Sequence, residues 1–258
     1  MHRPHRAMIL DLIGKSALVT GSSRGIGRAI AEALQDEGCR VALNGRSAND
    51  LAFAIPHFPG GIGVVGDVTQ PQNASDIVTQ VIAAFGGLDV LVCNVGSGRS
   101  VPPGNETPEE WQRVFALNLW SATNMIEAAK DTLIANKGVI VCISSICGLE
   151  VIPGAPVTYS AAKAALHAYV RGVARPLGKR GVRINAVAPG NILFDGSVWS
   201  QKLAEDKQSV NAMLQREVSL SSLGSPQDIA DLVTYLSSPR SAFATGQIWT
   251  LDGGQTHS

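Results

Sequence analysis

Short apolar runs of four to seven residues alternate with longer, helix-like segments along most of the chain. Runs of this length are typical of buried strands, and the segments between them are long enough for crossover helices. The pattern predicts strands at residues 16–20, 40–43, 62–65, 88–93, 139–144, 182–188 and 247–251. It predicts helices at residues 26–37, 71–85, 108–135, 158–177 and 226–236.

Strands that alternate with helices predict an α/β fold with a doubly wound, seven-stranded parallel sheet and helices on both faces. A chain of 258 residues is expected to form one such domain, residues 1–258. Residues 1–8 precede the first strand signal and are interpreted as a loose N-terminal tail. Ligands of such a sheet bind at the carboxyl ends of its strands.

Two segments interrupt the alternation of strands and helices. Residues 48–61 carry too few helix signals for a full crossover helix, and residues 191–223 form a long connection after a strand. Long loops at the ligand edge of an α/β sheet often close over a substrate. Residues 191–223 are therefore predicted to form a substrate lid.

The composition fits a compact globular protein, since 45% of the residues are hydrophobic and 16% are charged. Lys and Arg together number 21, as do Asp and Glu, so no net charge recruits nucleic acid or an anionic membrane. No apolar run approaches the ~20 residues of a membrane span, and residues 1–8 lack the apolar stretch of a signal peptide. We therefore expect a cytoplasmic protein whose partners include neither nucleic acid nor a membrane.

The cysteines do not form a metal-binding pattern. They are Cys39, Cys93, Cys142 and Cys147. Zinc sites use closely spaced pairs of cysteine or histidine, and no such pair occurs here. We expect buried free thiols, in keeping with a reducing compartment, and no metal site.

A glycine-rich turn, which reads TGSSRGIG at residues 20–27, follows the first predicted strand and opens the first predicted helix. Glycine permits a close approach of backbone amides to a pyrophosphate, which a helix N-terminus also favours. A glycine cluster alone also occurs in turns without a ligand, but its place between strand and helix predicts a dinucleotide site. The predicted cofactor-binding residues of this turn are Gly21, Ser23, Arg24, Gly25, Ile26 and Gly27.

The end of the second predicted strand indicates which dinucleotide binds. NAD sites place an acidic residue there, and its charge repels a 2′-phosphate. This chain has Asn44 and Arg46 instead, and Arg24 lies in the glycine turn. Arginines form charge-assisted bonds to phosphate, so we expect NADP (NADPH) rather than NAD. The alternative is that both arginines are solvated surface charges.

Candidate acid/base residues lie near the start of the helix predicted at 158–177. Tyr159 and Lys163 are four residues apart and project from one face of that helix. An ammonium group favours a neighbouring phenolate and moves the tyrosine pKa toward neutrality, where the phenol exchanges protons with a substrate oxygen. Alone, this spacing is more often a surface pair. Ser144 and Ser145 end the preceding strand, where a hydroxyl can hold a carbonyl or simply cap the strand end.

Together these features closely resemble the short-chain dehydrogenase/reductase family in its ordinary-length form, and are similar to its 3-oxoacyl thioester reductase-like members. The resemblance spans residues 15–254 and rests on a TGxxxGxG turn, an aspartate after the third strand and a YxxxK pair. Its residues outside the turn are Asp67, Asn94, Asn118, Ser145, Tyr159 and Lys163. The resemblance implies a Rossmann fold, a nicotinamide cofactor and hydride transfer without a metal.

The resemblance also implies a role for each residue. Tyr159 is the proton donor in reduction, and Lys163 binds the nicotinamide ribose and lowers the tyrosine pKa. Ser145 orients the carbonyl, and Asn118, by itself only a polar residue inside a helix, holds a water in a proton relay. The further cofactor contacts are Asp67 and Val68 at the adenine, Asn94 and Gly96 under the cofactor, and Pro189, Gly190 and Ile192 after the sixth strand.

The chain departs from the family pattern near three of these residues. The family serine often lies thirteen residues before the tyrosine, which here is Ile146, whereas the SxxG match selects Ser145 and leaves Ser144 as the alternative. The family's NNAG reads CNVG at residues 93–96, which changes the packing under the cofactor. The threonine that often binds the nicotinamide carboxamide is absent from NILF at residues 191–194, so that contact is not expected.

The resemblance implies an NADP-dependent oxidoreductase that transfers a hydride between nicotinamide and a small-molecule carbonyl or alcohol. A ketone or a 3-oxoacyl thioester is the expected substrate, and a sugar or polyol is the alternative within enzymes. From another class of function, the chain is a catalytically silent NADP-binding sensor or scaffold. The helices at 108–135 and 158–177 resemble those that pair subunits in this family, which implies a homotetramer or a homodimer.

Overall fold

The apolar runs of the sequence pair into one parallel sheet, as the hydrophobic pattern predicts. The computed structural model describes residues 9–257, so the predicted tail at 1–8 lies outside the described residues. The strands are β1 (Ser16–Val19), β2 (Arg40–Gly45), β3 (Ile62–Val65), β4 (Val90–Cys93), β5 (Val139–Ile143), β6 (Arg183–Pro189) and β7 (Ile248–Leu251). β1, β4 and β5 are buried along their whole length, because helices cover both faces of the sheet.

The described chain also contains nine α-helices. They are α1 (Gly25–Asp36), α2 (Ala48–Ala54), α3 (Pro71–Phe85), α4 (Pro108–Phe115), α5 (Ser121–Asn136), α6 (Val157–Gly178), α7 (Val198–Glu205), α8 (Lys207–Glu217) and α9 (Pro226–Ser237). Several begin at a residue that caps them: Thr107 accepts a hydrogen bond from the backbone N–H of Glu110, and Ser225 forms a capping box with Asp228. No helix in this part of the chain is both long and apolar enough to cross a membrane.

The strand order is β3-β2-β1-β4-β5-β6-β7, and all neighbouring strands are parallel. The chain builds outward from β1 to β3 and then returns to the other side of β1 with β4. This reversal opens a crevice at the carboxyl ends of β1 and β4, which is where such sheets bind ligands. The predicted fold, a doubly wound Rossmann-type sheet, is confirmed.

Two hydrophobic layers hold the helices to the sheet. Successive residues of one strand face opposite layers, so that Leu91 packs in one and Val92 in the other. The first layer includes Met125 of α5 and Leu166 of α6, and the second includes Ile229 of α9. The buried face of α6 therefore rests on the sheet and brings the start of that helix to the ligand edge.

The prediction of one continuous helix at residues 108–135 is wrong in one respect, because the observed helix is interrupted. It consists of α4 and α5 joined by a π-helical turn, Ala116–Trp120, which contains Asn118. The Asn118 side chain donates to the carbonyl oxygen of Val114 at 3.0 Å, inside the helix, and so competes with the regular backbone bonding pattern. Such π turns are rare and occur frequently at functional sites.

The two segments that interrupt the alternation contain short helices. Residues 48–61 contain α2, which is capped by Ser47, whose hydroxyl accepts from the backbone N–H of Asp50. A 3-10 turn, Ile55–His57, follows α2. The predicted lid, residues 191–223, contains α7 and α8, which the sequence pattern does not predict. These two helices pack on a small apolar cluster of their own around Val210 and Leu214, separate from the two layers of the sheet.

Candidate active site

The turn between β1 and α1 is a close-packed backbone cradle. Gly25 adopts a φ of +58°, which lies in the left-handed region that favours glycine. A Cβ atom at Gly27 would lie 2.4 Å from Asn94 Nδ2 and 2.5 Å from the carbonyl oxygen of Gly21, so a side chain there would push the turn apart. Its backbone leads directly into a helix N-terminus, the kind of site that binds phosphate groups. The turn contains the six residues predicted from the sequence: Gly21, Ser23, Arg24, Gly25, Ile26 and Gly27.

Asn94 fixes this turn to the end of β4. Its Nδ2 donates to the carbonyl oxygens of Thr20 and Gly21 at 2.9 and 3.1 Å, and its backbone N–H donates to the Thr20 hydroxyl at 2.9 Å. These bonds cross the crevice between β1 and β4. The side chain of Asn94 therefore shapes the floor of the predicted cofactor site by holding the glycine turn in place.

The region after β2 carries the residues that were predicted to select the dinucleotide. Asn44 is buried, and its Nδ2 donates to the carbonyl oxygens of Val64 and Gly66, so its amide group joins β2 to β3. Arg24 and Arg46 are exposed, and neither guanidinium has an ion pair or a hydrogen bond to another described residue. Both cations are thus free to meet a phosphate.

The loop after β3 contains the two residues assigned to the adenine. The carboxylate of Asp67 accepts from the backbone N–H and the hydroxyl of Thr69 at 3.0 and 2.8 Å, which closes a tight turn. The Val68 side chain is buried in the core, and its carbonyl oxygen accepts from Asn124 Nδ2 at 3.2 Å. Sequence reasoning missed Asn124, because α5 carries many other polar residues and no signal in the sequence distinguishes this one.

Asn118 holds the segment that follows β4. It is buried, its Oδ1 accepts from the backbone N–H of Ser97 at 2.9 Å, and its Nδ2 donates to the Ser97 carbonyl at 3.1 Å. The neighbouring Gly96 is equally confined, because a Cβ atom there would lie 2.9 Å from Asn118 Oδ1 and 3.1 Å from Lys163 Nζ. The π turn therefore brings Asn118 and Gly96 beside the acid/base residues.

Tyr159 and Lys163 lie in the first two turns of α6. The Lys163 side chain is buried, and its Nζ donates to the carbonyl oxygen of Ile143 at 2.9 Å, so the helix is tied to the end of β5. Nζ lies 5.8 Å from the centre of the Tyr159 ring. The ring in turn lies against Gly98, since a Cβ atom at that glycine would be 3.7 Å from Tyr159 Cε1. The predicted pair therefore shares one helix face at the ligand edge of the sheet.

The protonation of this pair differs from the expectation based on spacing. Burial raises the pKa of Tyr159 to about 12, and a hydrogen bond with Ser145 opposes that rise without cancelling it. Burial also lowers the pKa of Lys163 to about 8. Desolvation of the phenolate is the largest cause of the tyrosine shift, and the lowering of this pKa by Lys163 stays a prediction. At neutral pH Tyr159 keeps its proton, as a proton donor must.

The two serines at the end of β5 have different partners. The Ser145 hydroxyl accepts from the backbone N–H of Cys147 at 3.2 Å, and its interaction with Tyr159 opposes the rise of the tyrosine pKa. The Ser144 hydroxyl is bonded to His167 Nε2 at 2.7 Å. The structure therefore brings Ser145 to the tyrosine, as the SxxG match selects, and commits Ser144 to a histidine that sequence reasoning missed.

The residues after β6 join the sheet to the lid. The backbone N–H of Gly190 donates to Leu251 of β7 at 3.0 Å, and Ile192 forms an isolated parallel bridge with Gly224. Phe194 follows, and its ring packs on the glycine turn, because a Cβ atom at Gly25 would lie 2.7 Å from Phe194 Cε2. The lid thus begins in contact with the predicted pyrophosphate cradle, a contact that was not predicted.

Comparison with known proteins places this arrangement among oxidoreductases. Residues 21–256 match a family model described as enoyl-(acyl carrier protein) reductase. The chain is 36% identical to the 3-oxoacyl-[acyl-carrier-protein] reductase FabG of Escherichia coli (strain K12), over 95% of this chain and 98% of the relative. It is 35% identical to the L-rhamnose 1-dehydrogenase (NAD(P)(+)) of Sphingomonas sp. (strain SKA58), over 94% and 96% of the two chains.

A solved structure shares the whole architecture. The L-sorbose reductase of Gluconobacter frateurii, complexed with NADPH and L-sorbose, superposes with a TM-score of 0.91 and is 29% identical. The match covers 97% of this chain and 100% of the reductase. Reductases of acyl thioesters and enzymes that act on sugars are thus both similar to this chain.

Proposed function

This chain belongs to the short-chain dehydrogenase/reductase family, whose members act on CH–OH and C=O groups, and we propose that it reduces a small-molecule carbonyl with NADPH. The observation that carries this proposal is the state of Tyr159. Its side chain is half-buried beside Ser145 at the ligand edge of the sheet, and desolvation raises its pKa to about 12. A phenol that holds its proton at neutral pH is suited to donate it to a carbonyl oxygen that is being reduced.

Each residue of the centre has a separate task in this proposal. When bound, the nicotinamide supplies the hydride. Ser145 donates a hydrogen bond to the substrate oxygen and orients it toward Tyr159, which supplies the proton. Lys163 holds positive charge beside the tyrosine and favours the phenolate left after proton transfer. Asn118 keeps the segment at Ser97 against this centre, and its assigned water relay stays a prediction.

NADPH is preferred over NADH in this proposal because of the charge at the end of β2. The backbone cradle at Gly25 and Gly27 suits a pyrophosphate, and the exposed, unpaired Arg24 and Arg46 suit a 2′-phosphate. No carboxylate follows β2 in the 44–46 segment to repel that phosphate. NADPH in the related sorbose reductase structure supports the same choice.

A ketone or 3-oxoacyl thioester is the proposed substrate class. The full-length similarity to FabG supports it. Apolar side chains are also exposed in the two segments that adjoin the centre, notably Val151 after β5 and Leu193 and Val198 in the lid. Exposed apolar side chains at a site favour a substrate with an apolar part.

A sugar or polyol is the second candidate. Similarity to the rhamnose dehydrogenase and the sorbose reductase favours it, and the lid also presents exposed Asp195 and Gln201. Asn191 is less available to bind a sugar hydroxyl, since its Nδ2 donates to Gln255 Oε1 at 2.9 Å.

Competition between substrates separates the two candidates. NADPH oxidation is followed at 340 nm with a 3-oxoacyl thioester, a simple ketone and a ketose, and NADP reduction is followed with the matching alcohols. We expect the thioester to give the highest kcat/KM. A higher kcat/KM for the ketose than for the thioester favours the sugar or polyol as the substrate class. Tight NADPH binding with no turnover in either direction selects the catalytically silent sensor and rejects the enzyme.

We further propose that the enzyme is a cytoplasmic homotetramer, with a homodimer as the alternative. The π turn and the start of α6 expose Trp120 and Val157, apolar side chains suited to burial between subunits. Sedimentation velocity on the purified chain tests this assembly, and a monomer at micromolar concentration contradicts it.

A further inference from the structure

His167 is a buried imidazole that the proposed reaction does not use. It lies on α6, four residues after Lys163 and eight after Tyr159, and therefore on the same face of the helix. Only 2% of its surface is exposed. A buried polar ring is costly unless both nitrogen atoms find partners, and here both do.

The two partners fix the tautomer of the ring. Nδ1 lies 3.2 Å from the carbonyl oxygen of Gly148, which only accepts hydrogen bonds, so Nδ1 carries the proton. Burial lowers the pKa of His167 to about 4, the bond to Gly148 opposes this, and the charges of Arg171 and Lys163 add to it. The ring is therefore neutral at pH 7. Its Nε2 is then an acceptor, and the Ser144 hydroxyl donates a hydrogen bond to it at 2.7 Å.

This tautomer separates the roles of the two serines. The Ser144 hydroxyl has one O–H group, which donates to His167, so it cannot also donate to a substrate oxygen. The Ser145 oxygen accepts from the backbone N–H of Cys147, which leaves its own proton free to donate. Of the two hydroxyls, only that of Ser145 can both reach Tyr159 and donate to a carbonyl.

The segment that carries Ser145 is held to α6 on both sides of that residue. Before it, Lys163 binds the carbonyl of Ile143 and His167 binds Ser144. After it, His167 binds the carbonyl of Gly148. Gly148 packs so closely that a Cβ atom there would lie 2.7 Å from the Lys163 carbonyl carbon and 2.8 Å from His167 Cε1. One imidazole thus spans the turn that contains Ser145.

We propose that His167 is a positioning residue that acts through Ser144 and Gly148 to direct the Ser145 hydroxyl at the substrate oxygen. The inference rests on the proposed function, because the direction of Ser145 matters only if a carbonyl is reduced. It adds a residue outside the Asn118, Ser145, Tyr159 and Lys163 set that the sequence predicts.

The test compares His167→Ala, His167→Gln and Ser144→Ala with the wild type, using the carbonyl that the wild type reduces fastest in the substrate panel. His167→Ala is expected to lower kcat about tenfold, with the Kd for NADPH within about twofold, because the loss is one of orientation. His167→Gln places an amide near Nε2, restores the bond to Ser144 and is expected to recover at least a third of the lost kcat. The double variant that combines His167→Ala with Ser144→Ala is expected to have a kcat no lower than that of His167→Ala, because the two residues act as one unit.

Leu166→Ala is the matched control, since Leu166 is buried in the neighbouring position of α6 and faces the hydrophobic layer. It is expected to lower the Tm and leave kcat unchanged. The inference is overturned if His167→Ala keeps the wild-type kcat, if its kcat, NADPH affinity and Tm all fall together, or if Leu166→Ala lowers kcat as much as His167→Ala does. It is also overturned if the effects of His167→Ala and Ser144→Ala multiply in the double variant. If the wild type binds NADPH and reduces no carbonyl, the proposed function fails and this inference fails with it; a wild type that turns over beside an equally active His167→Ala removes this inference alone.

Discussion

The acid/base centre and the lid adjoin the same edge of the sheet but are built in different ways. In the centre, Lys163 and Ser145 are 2% and 7% exposed and are bonded to backbone groups of β5 and of the turn after it. In the lid, α7 has no buried residue, and α8 buries little beyond Val210 and Leu214. Buried, hydrogen-bonded groups hold reacting atoms in place, whereas a thin layer with a small core can change its surface without disturbing the sheet. We therefore propose that the chemistry depends on the first region and the choice of substrate on the second.

Replacing the buried cation gives a large effect within the centre. Lys163→Met keeps the buried methylene groups and removes the charge that favours the phenolate, so kcat is expected to fall by about 10³-fold. The Tm is expected to stay the same or rise, because a buried charge is costly. Steady-state kinetics and calorimetry measure both, and a kcat within tenfold of the wild type contradicts the role of Lys163.

Removing the orienting hydroxyl gives the next effect. Ser145→Ala takes away the donor to the substrate oxygen and is expected to lower kcat by about 10²-fold, as loss of one such donor usually does. Ser160→Ala is the matched control, since this hydroxyl on α6 bonds only to the Pro156 carbonyl. Equal rates for the two variants would remove Ser145 from the centre.

The proposed cofactor site adjoins both regions, and Arg46 tests which dinucleotide that site selects. Arg46→Asp puts a carboxylate where NAD sites have one, so the ratio of kcat/KM for NADPH to that for NADH is expected to fall by about 10- to 100-fold. Arg180→Asp, an exposed arginine before β6 at the opposite edge of the sheet, is expected to leave the ratio unchanged. An unchanged ratio in Arg46→Asp shows that this arginine is a solvated surface charge.

The smallest effect is expected in the lid. Leu214→Ala loosens the small cluster, so the KM for the carbonyl is expected to rise about threefold to fivefold with little change in kcat. Hydrogen exchange is expected to speed up in α7 and α8 and to stay the same in β5 and α6. Leu34→Ala, in the second hydrophobic layer of the sheet, is the control that lowers global stability. A fall in kcat with exchange unchanged in the lid contradicts the separation of the two regions.

The same contrast explains what the sequence predicts and what it does not. The sheet follows from alternating apolar and helical segments, because burial on both faces leaves a clear pattern. The helices α7 and α8 were missed, because few of their residues are buried and the apolar signal is correspondingly weak. The π turn was missed as well, since Asn118 bonds both to Val114 inside the helix and to Ser97, 21 residues away, and neither bond leaves a pattern in the sequence.

Within the site, spacing predicts which residues meet but not how they are protonated. Tyr159 and Lys163 share a helix face, as i and i+4 require, yet burial sets the tyrosine pKa. His167 continues the same spacing by one more turn, a signal that was present in the sequence. Its partners Ser144 and Gly148 come from another element, so only the folded chain reveals their contact.

The most direct test of the account compares the wild type with Tyr159→Phe, since the phenol is held to be the proton donor. NADPH oxidation with the fastest carbonyl measures turnover, and quenching of NADPH fluorescence measures its Kd for each protein. Tyr159→Phe is expected to lose at least about 10³-fold in kcat, the range expected for a general acid, while its Kd for NADPH stays within about twofold. A variant that reduces the carbonyl as fast as the wild type would contradict it.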